Sequence, residues 1–122
     1  MTLATVKIQL KYRKNPLQTE ALNAFVIEKI EDMKGKDITS INISDKASFA
    51  DYMIICSGNS NRHVKSIAQS IAIECRAAGI EPRSMEGNDV GEWALVDLND
   101  IIVHVMTAEQ RDKYNLEELW AK

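Results

Sequence analysis

Hydrophobic and polar positions divide the chain into short blocks of different period. In "VKIQLKY", Val6, Ile8, Leu10 and Tyr12 alternate with Lys7, Gln9 and Lys11. Alternation is the signature of a half-buried strand, and lysines on its polar side suit an exposed edge. Residues 1–15 therefore read as an extra edge strand or a basic leader. Asn15-Pro16 follows as an N-cap with proline at the first helical position, and Gln18 has the spacing of a capping box. Leu22, Phe25, Val26, Ile30 and Met33 recur at helical spacing, so residues 16–34 are predicted as a helix that Gly35 stops. Residues 38–44 return to strand period, with Ile41 and Ile43 on one face. "YMIICS", residues 52–57, is continuously apolar and suits a central strand covered on both faces.

After "SGNS", Val64, Ile67, Ala68, Ile71, Ala72 and Cys75 form the apolar stripe of a second helix, capped by Ser60 and ended by Gly79. "PRSME" reads as a short strand, placed by Pro82 at a sheet edge or strand start. Strand, helix and strand in this order predict a right-handed parallel crossover. Residues 92–106 form a hairpin around Asn99-Asp100. Thr107 and Gln110 have capping-box spacing for a short helix, and "NLEELW" adds another turn or two. The predicted fold is α/β: a single mixed sheet with packed helices in one domain, residues 16–122.

The hairpin separates into two faces because strand side chains alternate. A two-residue turn places Ala94, Val96, Leu98, Ile101, Val103 and Val105 together as a core face. The reverse carries Trp93, Leu95, Asp97, Ile102, His104 and Met106. A dry core disfavours unpaired Asp and His, and a solvated surface seldom gathers Trp, Leu, Ile and Met. The mixture fits a recognition surface with an aromatic anchor. The competing structural reading is that the C-terminal helices cover this face and that Asp97 and His104 pair locally.

Composition changes the picture only through charge. The chain of 122 residues has a formal charge of -3. Residues 1–19 contribute Lys7, Lys11, Arg13 and Lys14 without an acid, so the remainder carries -7. An acidic body repels phosphate, argues against extensive nucleic-acid contact and suits a basic protein partner. Cys56 and Cys75 lack metal-ligand or disulfide-framework spacing and read as buried thiols, with no cofactor or metal expected. No apolar run approaches membrane-spanning length, and the first residues lack a secretory pattern, so the expected location is the cytoplasm.

The turn containing Gly58 and Ser60, with Arg62 just beyond, is a candidate anion site, because a helix N-terminus after a glycine turn presents free amides. The plainer reading is a glycine-permitted turn with a serine cap. A nucleotide-binding or nucleotidyltransferase-like enzyme is the alternative function that this turn raises. Such an enzyme needs clustered carboxylates for magnesium, and no Asp-x-Asp follows Gly58; Asp89, Asp97 and Asp100 lie at other spacings. Neither a paired cysteine nucleophile nor a serine elbow is visible, so no catalytic residue is assigned.

"DYMIICSGNSNRHVKSIA", "GEWALVDLNDIIVHVM" and "YNLEELW", in this order, closely resemble the Iojap family of bacterial and organellar ribosomal silencing factors. The likeness spans about residues 17–120. It implies a nucleotidyltransferase-like topology lacking the catalytic site, a homodimer in isolation and a non-enzymatic function. That function is binding large-subunit ribosomal protein fourteen, blocking an intersubunit bridge and repressing translation when nutrients are scarce. The family's partner-binding region matches Trp93, Leu95 and Asp97. On that match, Trp93 is the expected anchor, with Leu95, Ile102 and Met106 around it. Asp97 and Glu92 would meet basic side chains, and His104 would donate a hydrogen bond. A further possibility is that this face is the dimer seam. The family commonly has Gly at Asn99, and Thr and Ser at Asn59 and Asn61, which leaves the hairpin turn type open.

Overall fold

A computed structural model describes residues 16–121. The strand or leader expected at residues 1–15 and the Asn15 cap lie outside them. Helix α1 (Pro16–Asp32) leads into β1 (Lys36–Asn42) and β2 (Tyr52–Gly58). Helix α2 (Asn61–Ala77) and β3 (Ser84–Glu86) follow, then β4 (Trp93–Asp97) and β5 (Ile101–Thr107). Helices α3 (Ala108–Tyr114) and α4 (Leu116–Ala121) complete the described chain. The strands form one five-stranded mixed sheet in the order β1-β2-β5-β4-β3. Among the described residues the β2–β5 pair is parallel and the other three pairs are antiparallel.

The end of α1 departs from the sequence expectation. Lys34, not Gly35, takes the left-handed conformation, with φ 62°. Its amide bonds to Glu31 O, and the Gly35 amide reaches back to Ile30 O, which together satisfy two orphan carbonyls. Gly35 is required for closeness: a Cβ there would stand 2.4 Å from Ile30 Cγ2. Lys34→Gly should stabilise the fold by about 0.5–1 kcal/mol, read as a higher urea midpoint, because it removes left-handed strain at a small entropic cost.

Strand β1 begins and ends earlier than expected. Asn42 Oδ1 accepts from the amide and hydroxyl of Ser44, at 2.9 and 2.6 Å, and this side-chain turn ends the ladder. A register shift between Lys36 and Thr39 accompanies Asp37 at φ 50°. Strand β2 lies between β1 and β5 and is buried on both faces, as its unbroken apolar run predicts. The crossover through α2 is longer than a simple βαβ unit. Strand β3 runs parallel to β2, but β5 and β4 lie between them.

Two apolar clusters flank the sheet. On one side α1 and α2 pack Leu22, Val26, Ile30, Val64, Ile67 and Ile71 onto Ile54, Cys56, Val96 and Val103. Every predicted stripe residue of α2 is buried, and Ser60 caps the helix by accepting from the His63 amide. On the other side Ile43, Ala50, Met53, Ile55, Ile102 and Met106 form a smaller cluster, with Leu116 and Trp120 of α4 against it. None of the described helices is long and apolar enough to cross a membrane.

Candidate functional site

The hairpin register is the one a two-residue turn requires: Trp93 faces Met106, Leu95 faces His104 and Asp97 faces Ile102. Asn99 occupies the left-handed region at φ 76°. Asp97 Oδ1 accepts from the Asn99 amide at 2.8 Å, so the carboxylate braces the turn while remaining half-exposed. All six residues predicted for the core face are buried against α1 and α2.

The reverse face is divided. Trp93, Leu95 and Asp97 on β4 are half-exposed, whereas Ile102, His104 and Met106 on β5 are buried. The expectation that all six stand open is thus corrected for the β5 residues. The cause is topological. Helix α3 lies over β5 and β2, α4 lies over β1, and β4 is left beside the three-residue β3. Ile102 and Met106 belong to the apolar cluster against which Trp93 and Leu95 pack. His104, expected to donate to a partner, is 6% exposed and accepts from within the chain.

That internal bond organises the site. Trp93 Nε1 donates to His104 Nδ1 at 2.9 Å. The Trp93 ring also packs on Tyr114 of α3, with centroids 4.8 Å apart at a 46° tilt. An accepting Nδ1 fixes the neutral imidazole with its proton on Nε2. Burial pushes the His104 pKa down to about 4, which keeps this form at neutral pH. Glu92 is exposed at the strand's start. Its carbonyl accepts from the Thr107 amide at 3.0 Å, and its carboxylate accepts from Gln110 Nε2 at 3.4 Å. Thr107 caps α3 as predicted, but the reciprocal half of the capping box is replaced by this tie to Glu92.

Arg111, which periodicity did not single out, fastens the C-terminal helices. Its Nε donates to Glu117, and its terminal nitrogens donate to Ser57 Oγ at 2.9 Å and Thr39 Oγ1 at 3.2 Å. The guanidinium thus joins α3, α4, β2 and β1 beside a polar cleft of about 340 Å³ lined by Asp37, Ser57, Asp112 and Asn115. Hydrogen bonding to Arg111 holds the Glu117 carboxyl below its ordinary range. Arg111→Met should lower unfolding free energy by about 2 kcal/mol, measured by denaturant titration. Removing one partner of a fully buried pair costs about 3–5 kcal/mol, and here the Glu117 side chain is 35% exposed.

The Gly58–Ser60–Arg62 turn is largely occupied by its own contacts. The Asn59 amide donates to His63 Nδ1 at 2.9 Å, and the His63 amide donates to Ser60 Oγ at 3.1 Å. His63 Nε2 bonds Met33 O at 2.8 Å, which ties the turn to the end of α1. Two amides that an anion would need are therefore engaged, and Arg62 is exposed. A Cβ at Gly91 would stand 2.4 Å from Asn61 O, so the loop before β4 presses directly on the start of α2. Burial raises the Cys56 thiol to about 12, so it is not a thiolate at neutral pH.

A family model described as "ribosomal silencing factor during starvation" matches residues 16–122. The chain is 40% identical over 104 residues to the ribosomal silencing factor RsfS of Chromobacterium violaceum, covering 85% of each protein. It is 42% identical over 101 residues to the factor of the same name from Haemophilus influenzae, covering 83% of this chain and 99% of that one. A crystal structure of a Chromobacterium violaceum protein superposes with a TM-score of 0.82 at 41% identity, covering 84% of this chain and 85% of that one.

Proposed function

Because the chain belongs to the ribosomal silencing factor family, we propose that it represses translation by docking its β4 face on the large ribosomal subunit. The contact is with ribosomal protein fourteen, and the bound factor stands where the small subunit would join. The observation that carries this reading is the half-exposed Trp93, packed on Tyr114 and sharing its face with Leu95 and Asp97, on a strand that the C-terminal helices cover only in part. An aromatic anchor with apolar neighbours and an acidic rim is how a hot spot meets a basic partner. Glu92 and Asp97 supply that rim, and the acidic body steers association with a basic protein. The sheet serves as a scaffold for docking, with the nucleotidyltransferase-like arrangement put to a non-catalytic use in the cytoplasm.

Purified subunits sedimented with and without the protein test the mechanism. At saturating protein, the joined-ribosome peak should fall and free subunits should rise. An unchanged peak overturns the steric mechanism. A homodimer in isolation belongs to the same reading, and Trp93→Ala separates its seam from the docking face. If the variant becomes monomeric but still binds large subunits, the β4 face belongs to the dimer.

A further inference from the structure

We infer that His104 is a positioning residue for docking: its Nδ1 sets the Trp93 indole in the orientation that the partner meets, while the imidazole makes no partner contact. This rests on the docking reading above and adds a role to a buried residue that the reading leaves unused.

The argument starts from what the site requires of a tryptophan. A half-exposed indole on a strand can turn about two side-chain torsions. An anchor that must be ordered on binding loses affinity to that ordering. Trp93 sits at the first position of β4, opposite Met106 near the end of β5. His104 lies two residues before Met106, the residue opposite Trp93, and is therefore its diagonal neighbour on the same face. Strand β5 is the central strand of the five, paired with β2 on one side and β4 on the other, which makes it a firm mount for an acceptor.

The residue type supports the assignment. Position 104 is buried beside an apolar cluster, where an aliphatic side chain would pack without polar cost. An imidazole there is explained by the Trp93 N–H bond at 2.9 Å. Tyr114 closes the other side of the ring at 4.8 Å, so the indole is held by one directional bond and one packing contact. The neutral His104 keeps Nδ1 free of a proton, as the geometry demands.

The first test uses the intact protein. Its two tryptophans give two indole N–H resonances, and the one lost in Trp93→Phe is that of Trp93. The Trp93 indole proton should exchange with solvent well below the free-indole rate; exchange at the free rate overturns the proposal. The second test measures affinity for purified large subunits. His104→Leu should weaken binding by about fivefold, the scale of ordering one side chain. His104→Asn, whose Oδ1 stands close to the Nδ1 position, should bind within about twofold of the parent on the same scale. In a Trp93→Ala background, His104→Leu should add nothing further. Parent-like binding by His104→Leu, with Trp93→Ala impaired, overturns the positioning role and leaves the docking reading standing. Parent-like binding by Trp93→Ala overturns both.

Discussion

Trp93→Ala should weaken association with the large ribosomal subunit by about 2 kcal/mol or more, a loss of roughly 30-fold. Truncation removes the largest apolar group that β4 exposes and opens a gap beside Met106, its fully buried cross-strand partner. It also leaves His104 Nδ1 without its donor. The variant should therefore melt at a lower temperature while keeping its circular dichroism spectrum. Isothermal titration against purified subunits, at a temperature well below the variant's melting point, separates the binding loss from the stability loss. Binding within twofold of the parent would remove Trp93 as the anchor.

The second large effect is a loss of stability in acid. Above pH 6.5, the ordinary imidazole value, His104 is neutral in both folded and unfolded chains. As pH falls from 6.5 towards about 4, the unfolded chain takes up a proton that the folded chain refuses. Stability is thus fully present above 6.5 and declines through this window, by about 3 kcal/mol in all. That is a large share of the 5–15 kcal/mol typical of a domain. Glu117 adds a separate loss at lower pH. Its folded pKa is depressed, so its contribution is present above its unfolded value of 4.5 and disappears below it. Urea titrations at half-unit pH steps check the two windows. His104→Asn should flatten the slope between pH 6.5 and 5 and leave the more acidic loss in place.

These effects trace to how much of the site the sequence disclosed. Hairpin parity was legible because Asn99 tolerates the left-handed turn and because Ala94, Val96, Val103 and Val105 leave one face free of polar side chains. The α2 stripe was legible for the same reason: period and burial agree residue by residue. Parity tells which residues share a face, but not what lies over them. Helices α3 and α4 are only seven and six residues long and carry no buried residue of their own, so no buried stripe announces that α3 covers β5 and α4 covers β1. The face is therefore divided, with β4 half-exposed and β5 buried.

Arg111 was invisible for a related reason. Its partner Glu117 is six residues away across the Asn115 break, outside the spacings at which helical side chains meet, and Ser57 and Thr39 come from distant strands. Tyr114 belongs to no apolar stripe, although its ring forms one wall of the Trp93 site. The one signal available was Asn115 itself, which suits a left-handed break and hints that the chain doubles back there. At the end of α1, glycine was expected in the left-handed position because it is the usual occupant. The close approach to Ile30 placed it one residue later instead.

Alternation along β4 has an evolutionary corollary. Leu95 can be exchanged to follow changes in a binding surface, because it stands half-exposed on the face opposite the buried Ala94 and Val96 that flank it. Trp93 lacks that freedom, being joined to β5 through an imidazole and to α3 through a phenol ring. Drift in partner preference should accordingly accumulate at 95, while position 97 keeps an acceptor for the Asn99 amide and position 93 stays fixed unless 104 and 114 change with it.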